Sequence, residues 1–98
     1  MRGLEEIKSE IRKSMPILRD KYKVKTIGMF GSYISGEQGK RGEIDILVDF
    51  YETIDLFTFI ELEEFLSEKL GIRVDLVMKD TLKPRIRDSI LKEAVRVE

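Results

Sequence analysis

The sequence predicts an α/β domain with a small three-stranded sheet and helices mainly on one of its faces. Two observations carry that expectation. An apolar run over 24–30 and two alternating runs over 43–50 and 73–78 read as strands. Around them, apolar residues recur at three- and four-residue spacing, the period of amphipathic helices. The resulting order is helix, strand, Gly-Ser helix, strand, long helix, strand, helix, which folds as a layered domain.

Taken in order, Leu4, Ile7, Ile11, Met15 and Leu18 give the first helix an inward face, with Glu5, Glu6, Lys8 and Arg12 outward. Pro16 interrupts it. Either Ser14 caps a second short helix with Pro16 in its first turn, or one helix kinks at the proline. Lys21, Lys23 and Lys25 then either line an anion site or, as charge runs commonly do, face solvent.

The run Val24 to Phe30 ends at Gly31-Ser32. Gly31 lets the backbone bend sharply and lets a ligand approach it closely, and Ser32 offers a hydroxyl and an N–H at an expected helix N-terminus, where phosphate oxygens bind well. The loop over 36–42 has three glycines with Lys40 and Arg41, so it is either a mobile, cationic loop beside bound phosphates or, as glycine-rich connections commonly are, an ordinary solvated turn. In the next run Ile44, Ile46, Val48 and Phe50 share one face, and Glu43, Asp45, Leu47 and Asp49 share the other. Glu43 and Asp45 thus project from one face with Cα atoms roughly 6.5 to 7 Å apart, close enough to converge on a hard cation such as Mg²⁺.

Asp55 is an expected N-cap and Gly71 a C-terminal stop for a long helix whose stripe is Leu56, Phe59, Leu62, Phe65, Leu66 and Leu70. Phe57 and Ile60 fall at the edge of the stripe, where they either widen the core contact or form an exposed apolar patch. In the third strand, Val74, Leu76 and Met78 oppose Asp75, which completes an acid trio if the two acidic strands are neighbours. Thr81 or Lys83 can cap a last helix with Pro84 in its first turn and Ile86, Ile90, Leu91 and Ala94 inward. Lys83, Arg85 and Arg87 cluster near its start.

Ninety-eight residues make one domain over 1–98, too short for a separate substrate-recognition domain. The chain is 38% charged and has no apolar run near the roughly 20 residues of a membrane helix. It has no apolar leader at its start, so a cytoplasmic location without membrane attachment is expected. With no Cys and no His, any metal must be held by oxygen. A net charge of −1 argues against strong direct nucleic-acid binding. The sequence has no Asn, a single Gln at 38 and many Lys and Glu, a bias of proteins from hot environments.

Strand, Gly31-Ser32, acid-x-acid at Glu43 and Asp45, and a later strand acid at Asp75 together resemble the minimal nucleotidyltransferase (MNT) domain of the DNA polymerase β-like superfamily. The likeness covers nearly the whole chain, including Val-Asp-Leu-Val at 74–77 and Thr-Leu-Lys-Pro-Arg-Ile-Arg at 81–87. It implies the polymerase β-like nucleotidyltransferase fold, a small mixed three-stranded sheet. It also implies that Gly31 and Ser32 hold the triphosphate, that Glu43, Asp45 and Asp75 bind two Mg²⁺ ions, and that Asp75 activates the attacking hydroxyl. The implied reaction moves AMP from ATP to a protein hydroxyl. The implied partner is a HEPN-domain ribonuclease toxin, silenced by AMP on a tyrosine, in a hetero-oligomer with this chain as antitoxin.

Two positions depart from the family pattern: Glu43 stands where Asp is usual, and the Arg usual soon after Gly-Ser is absent, with Tyr33 and Ser35 in that region. The extra methylene of Glu43 moves its charge outward by about 1 Å, and Mg²⁺ requires near-octahedral geometry. The alternative implied is an antitoxin with a weakened site that neutralises its partner by contact alone. Nucleotide transfer to a small molecule ranks lower, because so short a chain has little surface from which to build a second cleft.

Overall fold

The computed structural model describes residues 3–30, 43–81 and 95–97. Helix α1 (Leu4–Tyr22) leads into strand β1 (Val24–Phe30), and then come β2 (Glu43–Phe50), α2 (Leu56–Leu70), β3 (Arg73–Met78), a 3-10 turn over Lys79–Thr81 and β4 (Val95–Arg96). The sheet runs β3-β2-β1-β4. Strand β2 is antiparallel to β1 and parallel to β3, so the three expected strands do form a mixed sheet. The two-residue β4 adds to the other edge of β1. A strand that short carries no alternation by which a sequence could announce it.

Helix α1 is one continuous helix of 19 residues with Pro16 inside it. Ser14 is therefore not the cap of a second helix; it is a buried residue of the helix interior. Proline forfeits the N–H that would bond the carbonyl four residues back. Here the buried stripe of Ile7, Ile11, Met15, Leu18 and Tyr22 runs past that position, and packing on both sides holds the helix together. Lys23 closes it in the left-handed region, φ 59°, donating its N–H to the Leu18 carbonyl. Lys21, Lys23 and Lys25 are all exposed, as a solvated charge run should be. Lys21 meets Glu61 at 2.9 Å, and the hydrogen bond and negative charge of that carboxylate raise its pKa.

Between β1 and β2 the register slips from Val24 to Thr26. Strict alternation from Ile27 and Met29 would turn Lys25 inward; the bulge instead lets Val24 join them in the core while Lys25 stays in solvent. Both helices cover that same face of the sheet. Ile7, Ile11 and Leu18 from α1 and Leu62, Leu66 and Leu70 from α2 close over Ile44, Ile46 and Val48, all at most 1% exposed. On the opposite face Leu47 and its neighbour Gly28 are buried too, although Leu47 lies outside the main core cluster.

Helix α2 begins and ends as its sequence says. The Asp55 carboxylate accepts from the Thr58 N–H at 2.7 Å, a bond that lowers its pKa, and Gly71 takes φ 70° and donates to the Ser67 carbonyl. The expected stripe is corrected at its first member: Leu56 is 68% exposed. Cover starts only at Phe59, whose ring lies 6.5 Å from that of Phe50, the last residue of β2; one turn earlier the helix has passed the end of the strand. Phe57 and Ile60 are exposed as well, so they form a surface patch and do not widen the core.

Strand β3 is the outer strand, and α2 fastens it. The Val74 N–H donates to Ser67 Oγ at 3.0 Å, and the Leu76 N–H donates to Glu63 Oε2 at 2.9 Å. The Ser67 hydroxyl in turn donates to the Glu63 carbonyl. Thr81 closes the turn after β3, its hydroxyl donating to the Met78 carbonyl at 2.8 Å. The expected helix after it, with Lys83, Pro84, Arg85 and Arg87, lies outside the described residues, as do Lys40 and Arg41.

Candidate active site

The face of the sheet away from the two helices carries the acids. In β2 the alternation that buries Ile44 and Ile46 sends Asp45 to the other side, and in β3 the alternation that buries Val74 and Leu76 does the same for Asp75. The parallel register then matters. Asp45 is the cross-strand partner of Asp75, between the pairs Ile44 with Val74 and Ile46 with Leu76. Neighbouring strands lie about 4.8 Å apart, and paired residues share a face, so the two carboxylates stand side by side. Asp45 is half-buried in the central strand, whereas Asp75 is exposed on the outer one.

The register brings two further residues to this spot. Phe30, the last residue of β1, is paired with Asp45 on its other side, so Phe30, Asp45 and Asp75 form one row across three strands. Arg73 is the partner of Glu43 and lies two residues from Asp75 on the same face. Neither was singled out by the sequence, because a strand alone does not reveal which residue sits beside which.

Glu43 opens β2, two residues from Asp45; its backbone is described and its side chain lies outside the described atoms. Gly31 and Ser32 lie outside the described residues. They follow directly on Phe30, so the chain leaves β1 level with Asp45. Among the described residues there is no group of three or more His, Cys, Asp or Glu placed to hold a metal. The expected trio is thus described for two of its three side chains, and those two are adjacent.

The described clefts lie elsewhere. One of about 250 Å³ is lined by Asp49, Glu52, Lys79 and Asp80 at the far end of β2 and β3. A second, about 550 Å³, runs between the start of α2 and the end of β3, past Leu56, Phe59, Leu76 and Met78. Neither includes Asp45 or Asp75. No described helix is long and apolar enough to cross a membrane.

Comparison with known proteins finds relatives along nearly the whole chain. Residues 11–97 match the model of the nucleotidyltransferase domain. The protein adenylyltransferase MntA of Thermococcus cleftensis is 50% identical over 97 residues, which is 99% of this chain and 98% of that protein. Among solved structures, a toxin-antitoxin crystal structure with AMP-PNP contains a chain 29% identical to this one, with a TM-score of 0.75 over 93% of this chain and 72% of the other. A Shewanella oneidensis complex of a tri-AMPylated HEPN toxin with an MNT antitoxin gives 26% identity and a TM-score of 0.68, covering 94% of this chain and 71% of the matched one.

Proposed function

This chain belongs to the nucleotidyltransferase domain family, and from that premise we propose that it is a protein adenylyltransferase. It moves AMP from ATP to a hydroxyl of a HEPN-domain toxin, and in this way acts as the antitoxin of that protein. The observation that carries the reading is the parallel register that sets Asp45 beside Asp75 on the face free of α1 and α2. The name of the Thermococcus relative and the AMPylated toxin in the Shewanella complex support the choice of group and acceptor. The AMP-PNP complex supports an adenine nucleotide as donor.

The donor chemistry fits Mg²⁺. Adjacent carboxylates in a chain without Cys or His offer only hard oxygen ligands. Asp45, Asp75 and Glu43 would hold two ions, which when bound neutralise charge on the triphosphate and the departing pyrophosphate. The remaining steps belong to side chains and backbone. Gly31 and Ser32, which follow Phe30 in the sequence, take phosphate oxygens. Asp75, on the exposed outer strand, accepts the proton of the incoming hydroxyl. That oxygen bonds to the α-phosphorus as the bond from the α-phosphorus to the bridging oxygen breaks and pyrophosphate leaves.

Glu43 favours a second reading, in which its displaced charge has weakened the site and the chain neutralises its toxin by contact. Intact mass measurement of the HEPN-domain protein from the same source separates the two, after incubation with this chain, ATP and Mg²⁺. An AMP-sized gain that disappears with Asp45→Asn supports transfer. A stable complex with no gain, in which the toxin is still silenced, supports contact.

A further inference from the structure

Helix α2 starts with an apolar surface that the fold leaves open. Phe57 is 83% exposed, Leu56 68% and Ile60 42%, with Tyr51 at 65% just before the helix. Leu56 and Ile60 are one turn apart on the helix, and Phe57 is three residues from Ile60, so they form a single patch. Large apolar side chains gathered this way mark a contact surface, whereas scattered ones do not.

The charge around the patch says what kind of surface it meets. Residues 42–68 hold nine Asp and Glu and no Lys or Arg, while the rest of the chain holds all eighteen Lys and Arg against ten acids. Glu52, Asp55, Glu61 and Glu64 are exposed at its border; Lys21 reaches Glu61, and Lys79 shares a cleft with Glu52. Two copies of this chain pressed patch to patch would oppose these acids to one another, and like charges across an interface oppose association. A self-complementary dimer is therefore the wrong occupant. A surface of opposite charge is the right one.

We infer that this patch is where the HEPN-domain protein docks, through an apolar hollow ringed by Lys and Arg; the inference rests on the partner named in the proposed function. The patch lies beyond Phe50, which is five residue steps, about 16 Å, along β2 from Asp45. Docking is thus remote from the acids. It holds the acceptor protein while leaving the nucleotide end of the sheet free, so its loss weakens capture of the toxin without slowing transfer once the toxin is bound.

The test uses the full chain and the HEPN-domain protein from its own source, with binding followed by calorimetry at low and high salt and AMP transfer followed against toxin concentration. Phe57→Asp and Ile60→Asp should each raise Kd and KM at least about tenfold, leave kcat at saturating toxin within about twofold, and leave the circular dichroism spectrum unchanged. Glu64→Lys should weaken binding and flatten its salt dependence. Wild-type Kd in both Asp variants, or no binding by the wild-type chain, overturns the inference. So does a wild-type dimer that Phe57→Asp makes monomeric, because a second copy would then cover the patch. Failure of the transfer reading looks different: the wild-type chain adds no AMP, yet Kd still responds to Phe57→Asp.

Discussion

Asp45 and Asp75 arrive at one point of the sheet from separate strands, so replacing either by Asn removes a charge there while nearly keeping its shape. Asp75→Asn should lower kcat for AMP transfer by about 10²- to 10⁴-fold, the loss typical of a missing general base. Its thermal midpoint should stay that of the wild type, and a midpoint that collapses with activity would make Asp75 a structural residue. Glu43→Asp should hold or raise the rate, since it restores the shorter reach that Mg²⁺ geometry favours; a large fall would show that the site is built around the longer side chain. The acids were legible because alternation is a local property of a strand. That Asp45 faces Asp75, with Phe30 and Arg73 next in register, was not, since register is decided by packing between segments distant in sequence.

At the level of elements, the ends of α2 were legible and its exposed first turn was not. Asp55 and Gly71 act through bonds to their own neighbours, which a sequence displays, while the fate of Leu56 depends on where β2 stops. Pro16 shows the same division, because the rule for an isolated helix yields to a stripe that packs across it. The Asp55 cap has a consequence in acid. Its folded pKa lies below the ordinary 3.8, so its contribution is complete above that value and is lost as pH falls through the folded pKa. Asp55→Asn should therefore flatten the fall in stability below about pH 4, as read from denaturant midpoints across that range. Glu63 and Ser67 serve β3 in a way no periodicity reveals. Replacing both by Ala should cost about 1–3 kcal/mol and speed amide exchange at Val74 and Leu76.

At the scale of the molecule, the described residues form a core that joins α1 and α2 to one face of the sheet, and its members were mostly readable from the stripes of α1 and α2 and the inward residues of β2 and β3. Leu66→Ala, at a site 1% exposed, should lower unfolding free energy by about 2–5 kcal/mol in a denaturant titration, and a cost well under 1 would mean that the core closes over the gap. The composition, without Asn and with a single Gln, leads us to expect a thermal midpoint above about 65 °C. The fastening of β3 bears on how such a molecule survives heat and crowding. An outer strand with unengaged amides is a template on which another chain can lay its own backbone, and that is how ordered fibres grow. With the Val74 and Leu76 amides held by α2, that border of the sheet has no vacant donors at its middle. Concentrated, heated protein should stay free of fibrils on this side, and a binding peptide could not extend the sheet there as an added strand.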